Sequence, residues 1–430
     1  MPAVLVFVVF LVAIALSVPI AVAMVAGSLA PIAITGSGGN FTQLITNAFS
    51  GANSTPILAV PLFILGGIIM AEGGISQKLF SFFAFFIGRF YGGVPCAVVV
   101  TCLFYGAISG SGPATAAAVG SMTIPFMVSL GYERKWSAGL VVVAGSLGVI
   151  IPPSIPFVLY SLATGVSTGS LFIGGILPGI LIGVVLMIYC VIHCKRNGED
   201  RDVIDKAMAE LHDMGLGHLF IDSLPALLCP VIVLGGIYAG FVTPTEAACI
   251  SVFYAIIVSL WVYKTIKVKD IWGILCTAVR TYGGLAFVLA FATAFGRVLS
   301  LTGASAAIED FLLTTFGGNM WAAVTFCTVL FLILGMVMDT GPAIIILAPI
   351  LLPAMESMGM DPVHFGVILV CCLAIGLATP PFGLNLFVVA NLTKEKPMDI
   401  AVRAIPFILS FLIALVAIVY IPWFSTVLLP

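Results

Sequence analysis

Apolar runs of about 20 residues follow one another along almost the whole chain, each long enough to cross a ~30 Å hydrocarbon core at ~1.5 Å per helical residue. Taken in order, they predict a first helix from Pro2 to about Ile34 and a polar, Gly/Ser-rich interfacial connection from Gly36 to Asn53. Spans follow at about Pro56–Ala71 and from Leu79. Between Val94 and Leu130 the pattern changes. Two short apolar arms, Val94–Tyr105 and Ala114–Met127, flank Ser109-Gly110-Ser111-Gly112-Pro113, and arms of that length predict a re-entrant helical hairpin. Trp136–Ala163 is long enough to cross, but Pro152-Pro153 interrupts it.

Later spans are predicted at Leu171–Cys194, Leu224–Ala239, Ala247–Tyr263 and Trp272–Val298, with a short segment near Ala304–Phe316. Trp321–Met358 then repeats the hairpin pattern around Asp339-Thr340-Gly341-Pro342. His364–Asn391 repeats the interrupted helix around Pro380-Pro381, and Met398–Leu428 closes the chain. The expected fold class is an all-α polytopic membrane protein. Its segments are 1–93 (scaffold), 94–166 (first hairpin and broken helix), 167–320 (scaffold), 321–391 (second hairpin and broken helix) and 392–430 (scaffold).

The two interrupted regions are copies. An offset of 228 carries Pro125 onto Pro353, Gly131 onto Gly359, Gly148 onto Gly376, Pro152-Pro153 onto Pro380-Pro381 and Pro178 onto Pro406. Charge gives their orientation. Arg134 and Lys135 follow the first hairpin, whereas the matching Ser357–His364 has no Lys or Arg. Lys394 and Lys396 follow the second broken helix, whereas its match, Ala163–Leu171, has none. Basic residues mark the cytoplasmic side, so the copies are expected to be inverted, as in many secondary transporters. The charged stretch 195–222, with Lys195, Arg196, Arg201 and Lys206 at a membrane exit, is expected in the cytoplasm as a short surface helix burying Val203, Ala207 and Leu211.

Composition narrows the function. Only 8% of residues are charged and 61% are hydrophobic, and no basic cluster of the kind nucleic acid requires is present. The ten cysteines have no metal-site spacing. The four histidines (His193, His212, His218 and His364) lack a nucleophile or metal partner at useful spacing, so no catalytic set and no cofactor is expected. There is no G-x-x-x-x-G-K-[ST] loop.

Unwound backbone inside a membrane is tolerated where it is buried in protein or lines a cavity, and its freed carbonyls can replace the water around Na⁺. The first candidate set is therefore the Ser109 and Ser111 hydroxyls with carbonyls of Gly148, Ile151 and Pro153. The second is Asp339, Thr340, Gly376, Thr379 and Pro381. Asp339 is an ionisable group in apolar sequence, a functional candidate by default. Ser154, Arg297 and Asn385 are candidate substrate contacts, with a snorkelling interfacial role as the alternative for Arg297. Glu246, after Thr243-Pro244, reads as half of a helix cap, and Lys78 and Arg89 as interfacial anchors.

At these residues the chain resembles the large membrane (M) subunit of tripartite ATP-independent periplasmic (TRAP) transporters, and most closely the sialic-acid branch. The carrying stretches are Ser-Gly-Ser-Gly-Pro-Ala-Thr-Ala-Ala (109–117), Ile-Pro-Pro-Ser (151–154), Val-Thr-Pro-Thr-Glu-Ala-Ala (242–248), Met-Asp-Thr-Gly-Pro-Ala (338–343) and Ala-Thr-Pro-Pro-Phe-Gly (378–383). The resemblance implies a Na⁺-driven elevator-type importer of a small organic anion, sialic acid first and a C4-dicarboxylate next, in the bacterial inner membrane. It also implies a small Q membrane subunit, expected as a separate chain, and a periplasmic substrate-binding protein. The alternatives are a stand-alone Na⁺/dicarboxylate symporter and a channel or structural membrane subunit.

Overall fold

A computed structural model describes residues 2–53, 55–213 and 215–429. Met1 and Pro430, the outer ends of the first and last expected segments, lie outside the described residues. The expected first span is in fact two helices, α1 (Pro2–Ala15) and α2 (Ile20–Thr35). Ser17 takes the left-handed φ of 62° and Pro19 follows, and the chain folds back. A Cβ on Gly27 would stand 3.2 Å from both the Phe10 Cβ and the Val6 carbonyl oxygen, so α2 runs back along α1. The expected polar connection contains a helix, α3 (Phe41–Ala52). The Asn40 side chain accepts from the Gln43 N–H at 2.8 Å and Gln43 returns the bond at 3.3 Å, a reciprocal cap. Leu44, Ala48 and Gly51 form its buried stripe.

Helices α4 (Ala59–Glu72) and α5 (Ile75–Ile87) meet at a bend of 67°. Next come α6 (Gly93–Ser109), α7 (Gly112–Ser129) and α8 (Arg134–Gly145), a tight turn over Ser146–Val149, and α9 (Ile155–Thr164). After α10 (Thr168–Asn197), the charged stretch forms α11 (Arg201–Asp213). Its buried residues are Ile204 and Met208, with Ala207 and Leu211 beside them. Val203, expected on that stripe, is 37% exposed, because a helical turn of 3.6 residues puts it on the flank of Ile204 and Met208. Glu199, at the entry to α11, has a side chain only 1% exposed. It accepts from the Gly92 N–H at 3.1 Å, from the Tyr132 hydroxyl and from Arg201, tying the two ends of the α6–α7 pair to the charged segment.

Helix α12 (Leu216–Tyr238) begins earlier than expected, and α13 (Pro244–Ile257) opens with a cap in which the Thr243 N–H donates to Glu246 at 2.7 Å. Helices α14 (Ile271–Leu301) and α15 (Ala304–Phe316) lead into the second copy. This comprises α16 (Met320–Val337), α17 (Thr340–Ser357), α18 (Pro362–Gly376) and α19 (Leu384–Thr393), followed by α20 (Pro397–Tyr420) and α21 (Trp423–Thr426). Among the described residues, seven helices are long and apolar enough to span a membrane, or eight if the bent pair counts as one.

The repeat is visible in the helix ends. The offset of 228 places both ends of α7 on both ends of α17 and the start of α8 on the start of α18. Both Pro pairs are cis. Packing is reciprocal: α7 lies against α8 of its own copy and α19 of the other, while α17 lies against α18 of its own copy and α9 of the other. Each copy thus packs on itself and on the other in the same pattern. The arms α6 and α7 have 17 and 18 residues, longer than the stretches expected, because the helices continue up to the break itself. At ~1.5 Å per residue each still falls short of a ~30 Å apolar core, and neither is among the seven helices long and apolar enough to span a membrane.

Candidate functional site

The first break is built from glycine geometry. Helix α6 ends at Ser109. Gly110 then takes φ +60° and returns its N–H to the Gly106 carbonyl at 2.8 Å, an αL helix end that a side chain would strain. Ser111 is extended, and Gly112-Pro113 starts α7, where a missing N–H costs nothing. The Ser109 Oγ lies 2.9 Å from the Thr115 Oγ1, and Thr115 donates to the Ser111 carbonyl at 2.8 Å. Gly148 presses into this cluster: a Cβ there would stand 2.3 Å from the Thr115 Oγ1 and 2.8 Å from the Ser111 carbonyl oxygen. The Gly110 carbonyl accepts from the Ile155 N–H at 3.3 Å, and a Cβ on Gly110 would stand 2.9 Å from the Pro153 carbonyl oxygen. Ser109, Ser111, Gly148 and Pro153 thus converge. The Ile151 side chain instead packs on Gly179 of α10.

In the second break Asp339 caps α17, accepting from the Thr340 N–H at 2.7 Å and from its hydroxyl at 3.3 Å. Gly376 lies against Gly335, three residues before Met338, with no room for a Cβ. The Phe382 N–H donates to the Met336 carbonyl at 3.2 Å, which brings the second Pro-Pro loop onto the end of α16. Thr379 donates to the Ile375 carbonyl at 2.8 Å, and Pro381 is exposed.

Both breaks open on one cavity of about 370 Å³, lined by Ser109, Ser111, Asp339 and Thr340. Helices α4 (Ile64, Gly67, Ile68), α9 (Ile155, Pro156, Leu159) and α14 (Thr277, Thr281, Leu285) also line it. The oxygens on offer are hydroxyls, carbonyls and one carboxylate, a donor set that suits hard cations. Among the described residues no group of three or more His, Cys, Asp or Glu side chains is placed to hold a metal ion.

A second cavity of about 450 Å³ lies further along the same three helices, α9, α14 and α17. Arg297 lines it with Asn47, Thr293 and Ser300. Arg297 is exposed, and no hydrogen bond or ion pair holds it among the described residues.

The other two candidate substrate contacts line neither cavity. Ser154 is fully buried, donating to the Val149 carbonyl and capping α9 through the Phe157 N–H at 3.4 Å. Asn385 is fully buried, and its amide donates to the Val142 carbonyl and the Ser146 Oγ, both at 3.1 Å. Its Oδ1 has no partner among the described residues and faces Gly112, where a Cβ would stand 3.3 Å away. Asn385 is therefore a strut between the copies. Thr115, Thr277 and Thr281 were not singled out from the sequence. The offset does not flag Thr115, whose match is Ala343. The two α14 threonines are four residues apart, one turn of a helix, which was the available signal.

The family described as "Tripartite ATP-independent periplasmic transporter, DctM component" matches residues 7–424. The chain is 38% identical over 405 residues to the isethionate TRAP transporter permease protein DctMQ of Oleidesulfovibrio alaskensis. That match covers 94% of the chain but 63% of the relative, so the chain spans less than two thirds of that protein. It is 36% identical to the C4-dicarboxylate TRAP transporter large permease protein DctM of Pseudomonas aeruginosa, covering 90% of the chain and 89% of the relative. It is 31% identical to the sialic acid TRAP transporter large permease protein SiaM of Vibrio cholerae, covering 96% and 94%. In fold it is similar to the YdaH transporter of Alcanivorax borkumensis, with a TM-score of 0.64 at 13% identity over 91% of this chain and 89% of that one.

Proposed function

The chain belongs to the DctM-component family of tripartite ATP-independent periplasmic transporters, a multi-span family of the bacterial inner membrane, and from that membership we propose that it is the large subunit of a Na⁺-coupled importer of a small organic anion. The observation that carries the proposal is the shared cavity, where Ser109 and Ser111 from one copy meet Asp339 and Thr340 from the other. Cations held at the two breaks offset the charge of an anion placed between them, so neither binds well alone and their movement is coupled. The first cation site comprises Ser109, Ser111, Thr115, Gly148 and Pro153, with Ile151 as a further carbonyl. The second comprises Asp339, Thr340, Gly376, Thr379 and Pro381.

The packing of α6 on α7 supports reading these helices as a re-entrant hairpin, and α16 with α17 as its counterpart. The two hairpins and broken helices form the moving body of an elevator, and α4 and α14 belong to the scaffold against which it slides. Arg297, lining the second cavity and without a hydrogen bond or ion pair among the described residues, gives an arriving anion its first positive charge. The substrates named for relatives at 38%, 36% and 31% identity are isethionate, a C4-dicarboxylate and sialic acid. We therefore propose the class, small organic anions, with sialic acid on an equal footing with the other two. A small Q-type subunit and a periplasmic binding protein are the proposed partners.

The test is reconstitution of the chain with a Q subunit and a binding protein in proteoliposomes, followed by uptake of the three labelled anions. Saturable uptake that requires an inward Na⁺ gradient is expected for at least one. Uptake unaffected by collapsing that gradient would overturn the coupling, and ion conductance without saturable uptake would fit the channel alternative.

A further inference from the structure

A third cavity, of about 490 Å³, lies between α7 and the end of α19, away from both breaks. Its floor is apolar (Ile124, Val128, Leu392) and its rim carries Arg134 and Lys394. These cations come from different copies: Arg134 opens α8, and Lys394 caps α19 in the left-handed conformation at φ 57°. Both are exposed, and among the described residues neither has a hydrogen bond or ion pair. The nearby carboxylates are already committed elsewhere. Glu133 pairs with Arg403 at 3.0 Å, and Asp399 and Glu395 both face Lys135, at 2.7 and 3.9 Å. Lys396 adds a further positive charge beside them. The hydroxyls of Ser121, Ser129 and Thr393 donate back into their own helices, which leaves the two cations as the rim's free donors.

The charge surplus sits on the face that the basic residues mark as cytoplasmic, directly above an apolar groove. A free anion would use the rim alone. An anionic phospholipid uses both parts, with its phosphate between two cations and an acyl chain along the floor. We propose that this groove binds an anionic phospholipid of the cytoplasmic leaflet, headgroup between Arg134 and Lys394. The site is independent of the transported substrate. It lies across the junction of the two copies, so a bound lipid links the start of one broken helix to the end of the other.

Native mass spectrometry of the full-length protein, transferred from vesicles of equal phosphatidylglycerol and phosphatidylcholine, tests this. Wild type is expected to retain phosphatidylglycerol. R134Q/K394Q is expected to bind it about 25-fold more weakly, at roughly a factor of five per basic residue near an anionic surface. R134K/K394R, which keeps both charges, is expected to retain it, as is K195Q/K269Q, which removes two cations elsewhere. Equal retention by wild type and R134Q/K394Q, or equal retention of the two lipids by wild type, overturns the proposal. Displacement of the lipid by millimolar inorganic phosphate would assign the rim to a free anion and also overturn it. A photoreactive phosphatidylglycerol on the unsubstituted protein gives an answer without any variant: label is expected on peptides containing 120–134 or 392–394, and its absence from both contradicts the site.

Discussion

Gly376 and Gly335 touch backbone to backbone: a Cβ on Gly376 would stand 2.2 Å from the Gly335 carbonyl carbon. Gly148 and Gly106 repeat the contact in the other copy, where a Cβ on Gly106 would stand 2.7 Å from the Gly148 Cα. Each broken helix thus crosses its hairpin where neither partner has a side chain, and in the first copy this brings Gly148 against the Thr115 hydroxyl. Gly148→Ala and Gly376→Ala are each expected to destabilise by about 1–3 kcal/mol, the range for overpacking. Gly283→Ala, in open space on α14, is expected to be neutral or slightly stabilising. Thermal unfolding of the three variants in one detergent checks the ranking, and equal midpoints would refute it.

Ser109 and Thr115 share a hydroxyl pair at 2.9 Å. Thr115→Val removes one oxygen of the first cation site and is expected to raise the Na⁺ concentration for half-maximal uptake about fivefold, the worth of ~1 kcal/mol. Thr115→Ser is expected to restore it. Unchanged Na⁺ activation in Thr115→Val would exclude the residue from the site.

Asp339→Ala removes the carboxylate of the second break, and Ser109→Ala an oxygen of the first. Both are expected to weaken Na⁺ dependence, but with different apparent affinities, because one break offers a carboxylate and the other hydroxyls. Na⁺ titration of uptake at fixed substrate measures both. Wild-type activation in both variants would sink the assignment.

Arg297 lines the cavity further from the breaks and has no hydrogen bond or ion pair among the described residues. Arg297→Gln is expected to raise the KM for the anion severalfold and leave half-activation by Na⁺ unchanged, since the side chain adds binding without touching the cation sites. A Na⁺ effect without a KM effect would reverse that assignment.

Asn385 joins α19 to the turn after α8. Asn385→Ala is expected to lower stability by about 1–3 kcal/mol, by leaving two buried acceptors with fewer donors, and to leave KM at its wild-type value. A raised KM with normal stability would restore the substrate contact expected from the sequence.

Periodicity and charge made most of this architecture legible. The matched Gly-Pro and Pro-Pro interruptions located both copies, and the offset of 228 predicts the ends of α17 from those of α7. The reversal between α1 and α2 is obscured because residues 2–35 carry no charge and few polar residues, so Ser17 and Pro19 alone mark the turn. Helix α3 is obscured for the opposite reason. Its Gly/Ser/Asn content reads as loop, although Asn40 and Gln43 stand at cap spacing. Pattern could place Asn385 on the second broken helix, but not the direction of its amide, which depends on a helix 243 residues away in sequence.

The reciprocal packing of α7 on α19 and of α17 on α9 has a consequence for biogenesis. The first hairpin enters the membrane without its neighbour, and at roughly 5–20 residues per second the ribosome needs tens of seconds to deliver the stretch from Ser129 to Leu384. During that interval the Ser146 hydroxyl and the Val142 carbonyl wait for Asn385. A nascent chain arrested before Leu384 is expected to be protease-sensitive throughout its first copy, and one arrested well beyond Thr393 to be protected. Equal sensitivity would mean that the first half completes itself alone. Otherwise the two halves are made in sequence but mature together.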